Sequence, residues 1–149
     1  MKKDFIRSTL LPLVVIPLVG LLALGVCYLL FLLANSLLDS LFFAANPQAA
    51  PVYIIRRVFA LVLLVLYLIL LRTKIPDLIK AAVLVGPLGF LTTTAILTFY
   101  QKPAWAVTVT AGIAAVSTFL VFKSKKPWFY CYAVAITILV SVLLAWPQA

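Results

Sequence analysis

The sequence predicts an all-α, polytopic transmembrane bundle of five spans joined by short loops. Three observations predict it. First, 66% of the 149 residues are hydrophobic and 10% are charged, with a mean hydropathy of +1.26. A soluble domain is about 45–50% apolar and about 25% charged, so this chain has too little polar surface to cover a core in water. Second, the apolar residues fall in runs close to the ~20 residues that cross a hydrocarbon core of about 30 Å. Third, short basic or proline-bearing segments separate the runs, with no polar stretch long enough for a soluble domain. The whole chain, residues 1–149, reads as one integral membrane domain.

The first span is placed at about residues 9–34. The apolar pattern continues beyond it through Leu37, Leu38, Leu41 and Phe42. One helix over that whole stretch would be roughly 50 Å long at 1.5 Å per residue, longer than the hydrocarbon core. Asn35-Ser36 and Asp39-Ser40 interrupt the run. Residues 35–45 are therefore read as a bent extension or a short interfacial helix, with those four apolar residues on one face. Lys2, Lys3 and Arg7 supply the charge of a signal-peptide n-region, and Ala44-Ala45 the small residues of a cleavage site. The apolar run far exceeds the roughly 7–15 residues of an h-region, so the segment is expected to stay as a span.

The second span, about 53–71, is nearly all Leu, Val and Ile from Phe59 onward and is expected to face lipid. The third runs over about 78–99, the fourth over 104–122 and the fifth over 128–146. Pro76, Pro103 and Pro127 stand just before these three runs. Proline suits a first helical turn, where its missing N–H would have no partner. Trp105, Trp128 and Trp146, with Tyr53, Tyr100 and Tyr130, sit at the ends of spans, where amphipathic rings rest at headgroup depth.

Charge sets an expected orientation. With five spans, one side of the membrane collects nine of the 12 Lys and Arg residues, Lys2, Lys3, Arg7, Arg72, Lys74, Lys80, Lys123, Lys125 and Lys126. The other collects three, Arg56, Arg57 and Lys102. Basic loops favour the cytoplasm, which predicts an N-in, C-out protein of the cell membrane. The net charge of +9 lies in clusters flanking apolar runs, and no nucleic-acid partner is expected.

The residue types argue against catalysis and against a bound metal or cofactor. There is no His and no Glu, and there are two Cys, so the usual zinc, iron–sulfur and haem ligand sets are missing. The three acids are Asp4, Asp39 and Asp77, none in mid-span as a proton relay requires. Asp77 follows Pro76 in a first helical turn, where a carboxylate complements the helix dipole. Cys27 and Cys131 are expected at depths too different for a disulfide.

Two candidate binding sites remain. Gly86-Pro87-Leu88-Gly89 lies near the middle of the third span and is followed by Thr92, Thr93 and Thr94. A proline there frees a backbone carbonyl that a neighbour, water or a ligand must satisfy, and transporters place substrates at such breaks. Gly86, Pro87, Gly89 and Thr93 are the residues of this candidate. The alternative is a packing kink whose hydroxyls bond to their own helix. At the other face, Asp39 is the acid nearest to Arg56 and Arg57. It forms either a boundary ion pair with them or, together with them, a site for an anionic headgroup or substrate. Adjacent arginines on a helix diverge by about 100°, so both cannot address one partner without bending.

Small residues mark packing faces. Thr108 with Gly112, and Ala111 with Ala115, are small-xxx-small pairs on the fourth span, and Ala133, Thr137 and Ser141 form a stripe on the fifth. Such faces allow close backbone approach, and spans three to five are expected to pack along them. The functional expectation is a non-catalytic subunit or accessory protein of a larger membrane assembly. Its partners would be lipid and other membrane subunits or further copies of itself. The alternative is a small homo-oligomeric transporter or flippase-like protein with its substrate site on the third span.

Overall fold

A computed structural model describes residues 9–42 and 51–145, all of it helix and short turns. Five helices follow in order: α1 Leu11–Phe42, α2 Val52–Leu71, α3 Asp77–Thr98, α4 Pro103–Lys123 and α5 Phe129–Ala145. The first four are long and apolar enough to cross a membrane. The 17 residues of α5 reach about 26 Å, a little short of the hydrocarbon core. The expected features at Lys2, Lys3, Asp4, Arg7, residues 43–48 and Trp146 lie outside the described residues.

The prolines act as anticipated at helix starts. Pro76 is the N-cap of α3 and Pro103 the first residue of α4. The Pro127 carbonyl accepts the Tyr130 N–H at the start of α5. One boundary differs from expectation. The first helix does not end near residue 34 but continues unbroken to Phe42, 32 residues in all. The polar cluster is absorbed within the helix. The Asn35 amide donates to Asp39 Oδ2 at 3.1 Å, one turn on, and Ser40 Oγ donates to the Leu37 carbonyl at 2.9 Å.

α3 is the axis of the bundle and packs against each of the other four helices. Of its most apolar window 67% is buried, against 22% for α1 and 17% each for α2 and α4. The order reflects composition. α3 carries glycines, alanines and threonines through its middle, whereas α2 is built of Leu, Val and Ile. Lipid tails are as apolar as leucine, so leucine-rich faces have no drive to leave them. Small residues let backbones close up and gain dispersion contacts.

The α1–α3 crossing shows this closeness. A Cβ added to Gly20 would lie 2.7 Å from a methyl of Val85, and one added to Gly86 would lie 3.1 Å from the Ala23 carbonyl oxygen and from Cys27 Sγ. Beyond the crossing, Phe31 and Tyr28 of α1, Phe59 of α2 and Phe90 of α3 form a tilted aromatic cluster with ring centroids 5.1–5.7 Å apart. α5 docks on α3 through the predicted stripe, with Ala133, Thr137 and Ser141 fully buried. The stripe on α4 does not follow suit. Its buried residues are Ala106, Thr110 and Val121. Thr108, Ala111, Gly112 and Ala115 face outward, and a Cβ on Gly112 would meet nothing within 4 Å.

Candidate functional site

The Gly-Pro segment lies in the most tightly packed part of the molecule. The α3 helix runs through Pro87 without interruption. Gly86 faces Ala23 and Cys27 of α1, and Gly89 faces Leu24 of α1 and Thr137 of α5. Gly86, Pro87, Gly89 and Thr93 are all buried. The threonine hydroxyls donate one turn back along α3: Thr92 to the Leu88 carbonyl and Thr93 to the Gly89 carbonyl, each at 2.7 Å. Thr137 does the same on α5, and Ser141 Oγ donates across to the Gly89 carbonyl at 3.3 Å. Gly89 thus offers its backbone oxygen to two hydroxyls, and α1 and α5 occupy the space its missing side chain leaves.

Asp39, Arg56 and Arg57 are not brought together as one group. Asp39 is bonded by Asn35 on its own helix. The Arg56 guanidinium lies over the Phe31 ring at 5.6 Å and that of Arg57 over Tyr53 at 5.9 Å. The expected boundary ion pair between α1 and α2 is therefore replaced, among the described residues, by cation–π contacts. The two arginines diverge, as adjacent helical positions must, yet each lines a cleft at the C-terminal end of α3. Arg56 looks onto Thr98, Phe99, Lys102 and Trp105, and Arg57 onto Ala60, Thr94, Thr98 and Phe99.

The opposite end of α3 carries a polar clamp that sequence reading missed. Lys80 is buried, and its ammonium donates to the Leu71 carbonyl at 3.1 Å and the Thr73 carbonyl at 2.7 Å. Those are orphan carbonyls at the C-terminus of α2, where the helix dipole also favours a cation. The Tyr67 hydroxyl closes the loop by donating to the Lys80 carbonyl at 3.3 Å. One turn earlier, the Asp77 carboxylate accepts from Tyr130 at 3.2 Å and pairs with Lys126 at 3.5 Å. Lys126 is delivered by the α4–α5 turn. Its N–H bonds to the Val121 carbonyl, the Lys125 N–H to that of Phe122, and Lys125 takes a left-handed φ of 49°. That is the Schellman arrangement with lysine in the usual glycine place. A Lys three residues into a helix that opens on Asp was the available sign, since a cation is out of place at a helix N-terminus unless something else holds it.

Both cysteines are free, Cys27 buried and Cys131 partly so. No three His, Cys, Asp or Glu side chains gather among the described residues. The arrangement can tie helices together and present cations at one end. The fold and these placements define a membrane-embedded helical bundle. No family model, no curated protein and no solved structure matches the chain.

Proposed function

We propose that the protein is a non-catalytic subunit of a larger membrane assembly, set in the cell membrane with its N-terminus on the cytoplasmic side. The observation that carries this reading is the outward small-residue face of α4. Thr108, Ala111, Gly112 and Ala115 are exposed on a helix whose own buried face lies elsewhere. In lipid, small-xxx-small faces associate with other helices because backbones approach closely there. The hydroxyls around the Gly-Pro segment support the same reading, since Thr92, Thr93, Thr137 and Ser141 are already bonded inside the bundle.

The test is native mass spectrometry of the protein extracted gently from its own membrane. A stoichiometric second polypeptide is expected, and Gly112→Leu should release it while leaving the helical content unchanged. A self-oligomer that moves a solute across reconstituted vesicles, with Pro87→Ala stopping the movement, would replace this reading with the transporter.

A further inference from the structure

We infer that the bundle binds one anionic phospholipid in the groove between α2 and α4. Its headgroup would sit at Arg56 and Lys102, with a chain along the partly exposed face of α3 at Leu91, Ala95 and Thr98. This inference stands apart from any partner on α4's outer face.

The groove exists because α2 and α4 both lie on α3 with no extended interface between them. Its floor is one face of α3. Leu84 and Leu88 line the narrow end, Leu91 and Ala95 the middle, and Thr98 the wide end. These positions are spaced four, three, four and three residues apart, which is one stripe of an α-helix. The 14 steps from Leu84 to Thr98 span about 21 Å, enough for the ~15 Å of hydrocarbon in one leaflet. The clamp of Asp77 and Lys80 holds α2 and the α4–α5 turn close at one end, where the cavity measures about 150 Å³. A separate cleft of about 900 Å³ lies at the unclamped end.

The chemistry of the wide end selects the occupant. Arg56 and Lys102 contribute two cations, Gln101 contributes a neutral donor, and no carboxylate lines the cleft. Neither cation has an ion pair among the described residues, whereas Lys126 at the narrow end is already matched by Asp77. A guanidinium offers a fork suited to phosphate oxygens, and an ammonium adds a point charge. Tyr100 and Trp105 are exposed beside them, as rings at headgroup depth are. Leu97 and Val109 complete the lining, and the apolar pocket at Leu91 and Ala95 adjoins it through Thr98 and Phe99. A cationic mouth on an apolar groove fits an amphiphile with an anionic head and not a small soluble anion.

The full chain with Trp128→Phe and Trp146→Phe leaves Trp105 as the single tryptophan. It is reconstituted in phosphatidylcholine vesicles, and quenching by brominated phosphatidylglycerol is compared with quenching by brominated phosphatidylcholine. A cation near a membrane surface strengthens anionic-lipid binding by about fivefold, so the anionic lipid should be preferred by at least about fivefold. Arg56→Gln with Lys102→Gln should bring the preference to about one, with neutral-lipid quenching and helical content unchanged. Lys123→Gln, which removes an exposed cation at the far end of α4, should keep it. Ala95→Phe, which fills the groove and leaves both cations, should lower it. Equal quenching by the two lipids in the parent chain overturns the inference. So does a preference that survives loss of both cations. Loss of the preference on adding millimolar inorganic phosphate would reassign the cleft to a soluble anion.

Discussion

The two sides of α3 are built by different rules. On one side α1 and α5 meet it through Gly20, Gly86, Gly89, Thr137 and Ser141, with contacts so close that an added methyl at Gly20 collides. On the other side α2 and α4 present mostly leucine, valine and phenylalanine to their surroundings, and most of that surface is exposed. Yet α2 and the α4–α5 turn are still fastened to α3 by Lys80 and Asp77 at one end. In lipid, apolar bulk does not decide which helices touch. Small residues, hydroxyls and capped helix ends decide it.

Substitutions in the two regions should therefore separate by size, read as the shift in unfolding on titrating detergent-solubilised protein with a denaturing detergent. Phe90→Ala should have the largest effect. It removes the ring that meets Tyr28, Phe31 and Phe59, and destabilisation near the lower end of the 3–5 kcal/mol range is expected, about 3 kcal/mol. The lower end applies because the separated helices still sit in an apolar solvent. A loss under about 1 kcal/mol would show that the aromatic cluster is not a packing centre.

Gly20→Ala comes next, at about 1–3 kcal/mol of overpacking against Val85. Its signature is non-additivity: Val85→Ala in the same chain should recover most of the loss, because the colliding methyls of Val85 are gone. Simple addition of the two single effects would place the crossing elsewhere.

Lys80→Met tests the fastening of α2. It leaves the Leu71 and Thr73 carbonyls without their donor, and a cost of about 1–3 kcal/mol is expected. Hydrogen exchange should quicken at the C-terminal turn of α2 and leave α5 unchanged. Lys125→Gly carries the opposite sign. Left-handed backbone costs a residue with a Cβ roughly 1 kcal/mol, and Lys125 occupies it, so glycine should stabilise the chain by about that amount. Gly112→Ala should have the smallest effect on the isolated chain, within about 0.5 kcal/mol, because open space surrounds the position. A large loss there would mean that α4 turns its small residues inward.

Much of the architecture is legible from the chain. Apolar run length and the prolines at 76, 103 and 127 placed the later helices to within a residue or two. The spacing of Ala133, Thr137 and Ser141 announced a packing face that α3 covers. Two readings failed for a shared reason. Asn35-Ser36 and Asp39-Ser40 read as an interruption of the first helix, and Asp39 with Arg56 and Arg57 as a boundary ion pair or an anion site. Polar side chains one turn apart can bond to each other, and a linear pattern does not say whether they turn along the helix or across to a neighbour. The stripe on α4 was misassigned in the same way, since a small-residue face shows that a helix can be approached closely and not by which helix.

Read alone, the chain specifies its solvent, its helices and the sites where backbones can close up, because length, hydropathy and residue size are local properties. Which faces met was settled in three dimensions. Only there do Lys80 find the end of α2, Asp77 find Lys126, and α2 and α4 part over α3 to leave a cleft lined by Arg56 and Lys102. The physical reason is that lipid makes apolar contacts nearly interchangeable. The arrangement then rests on a few close approaches and polar bonds between residues distant in sequence.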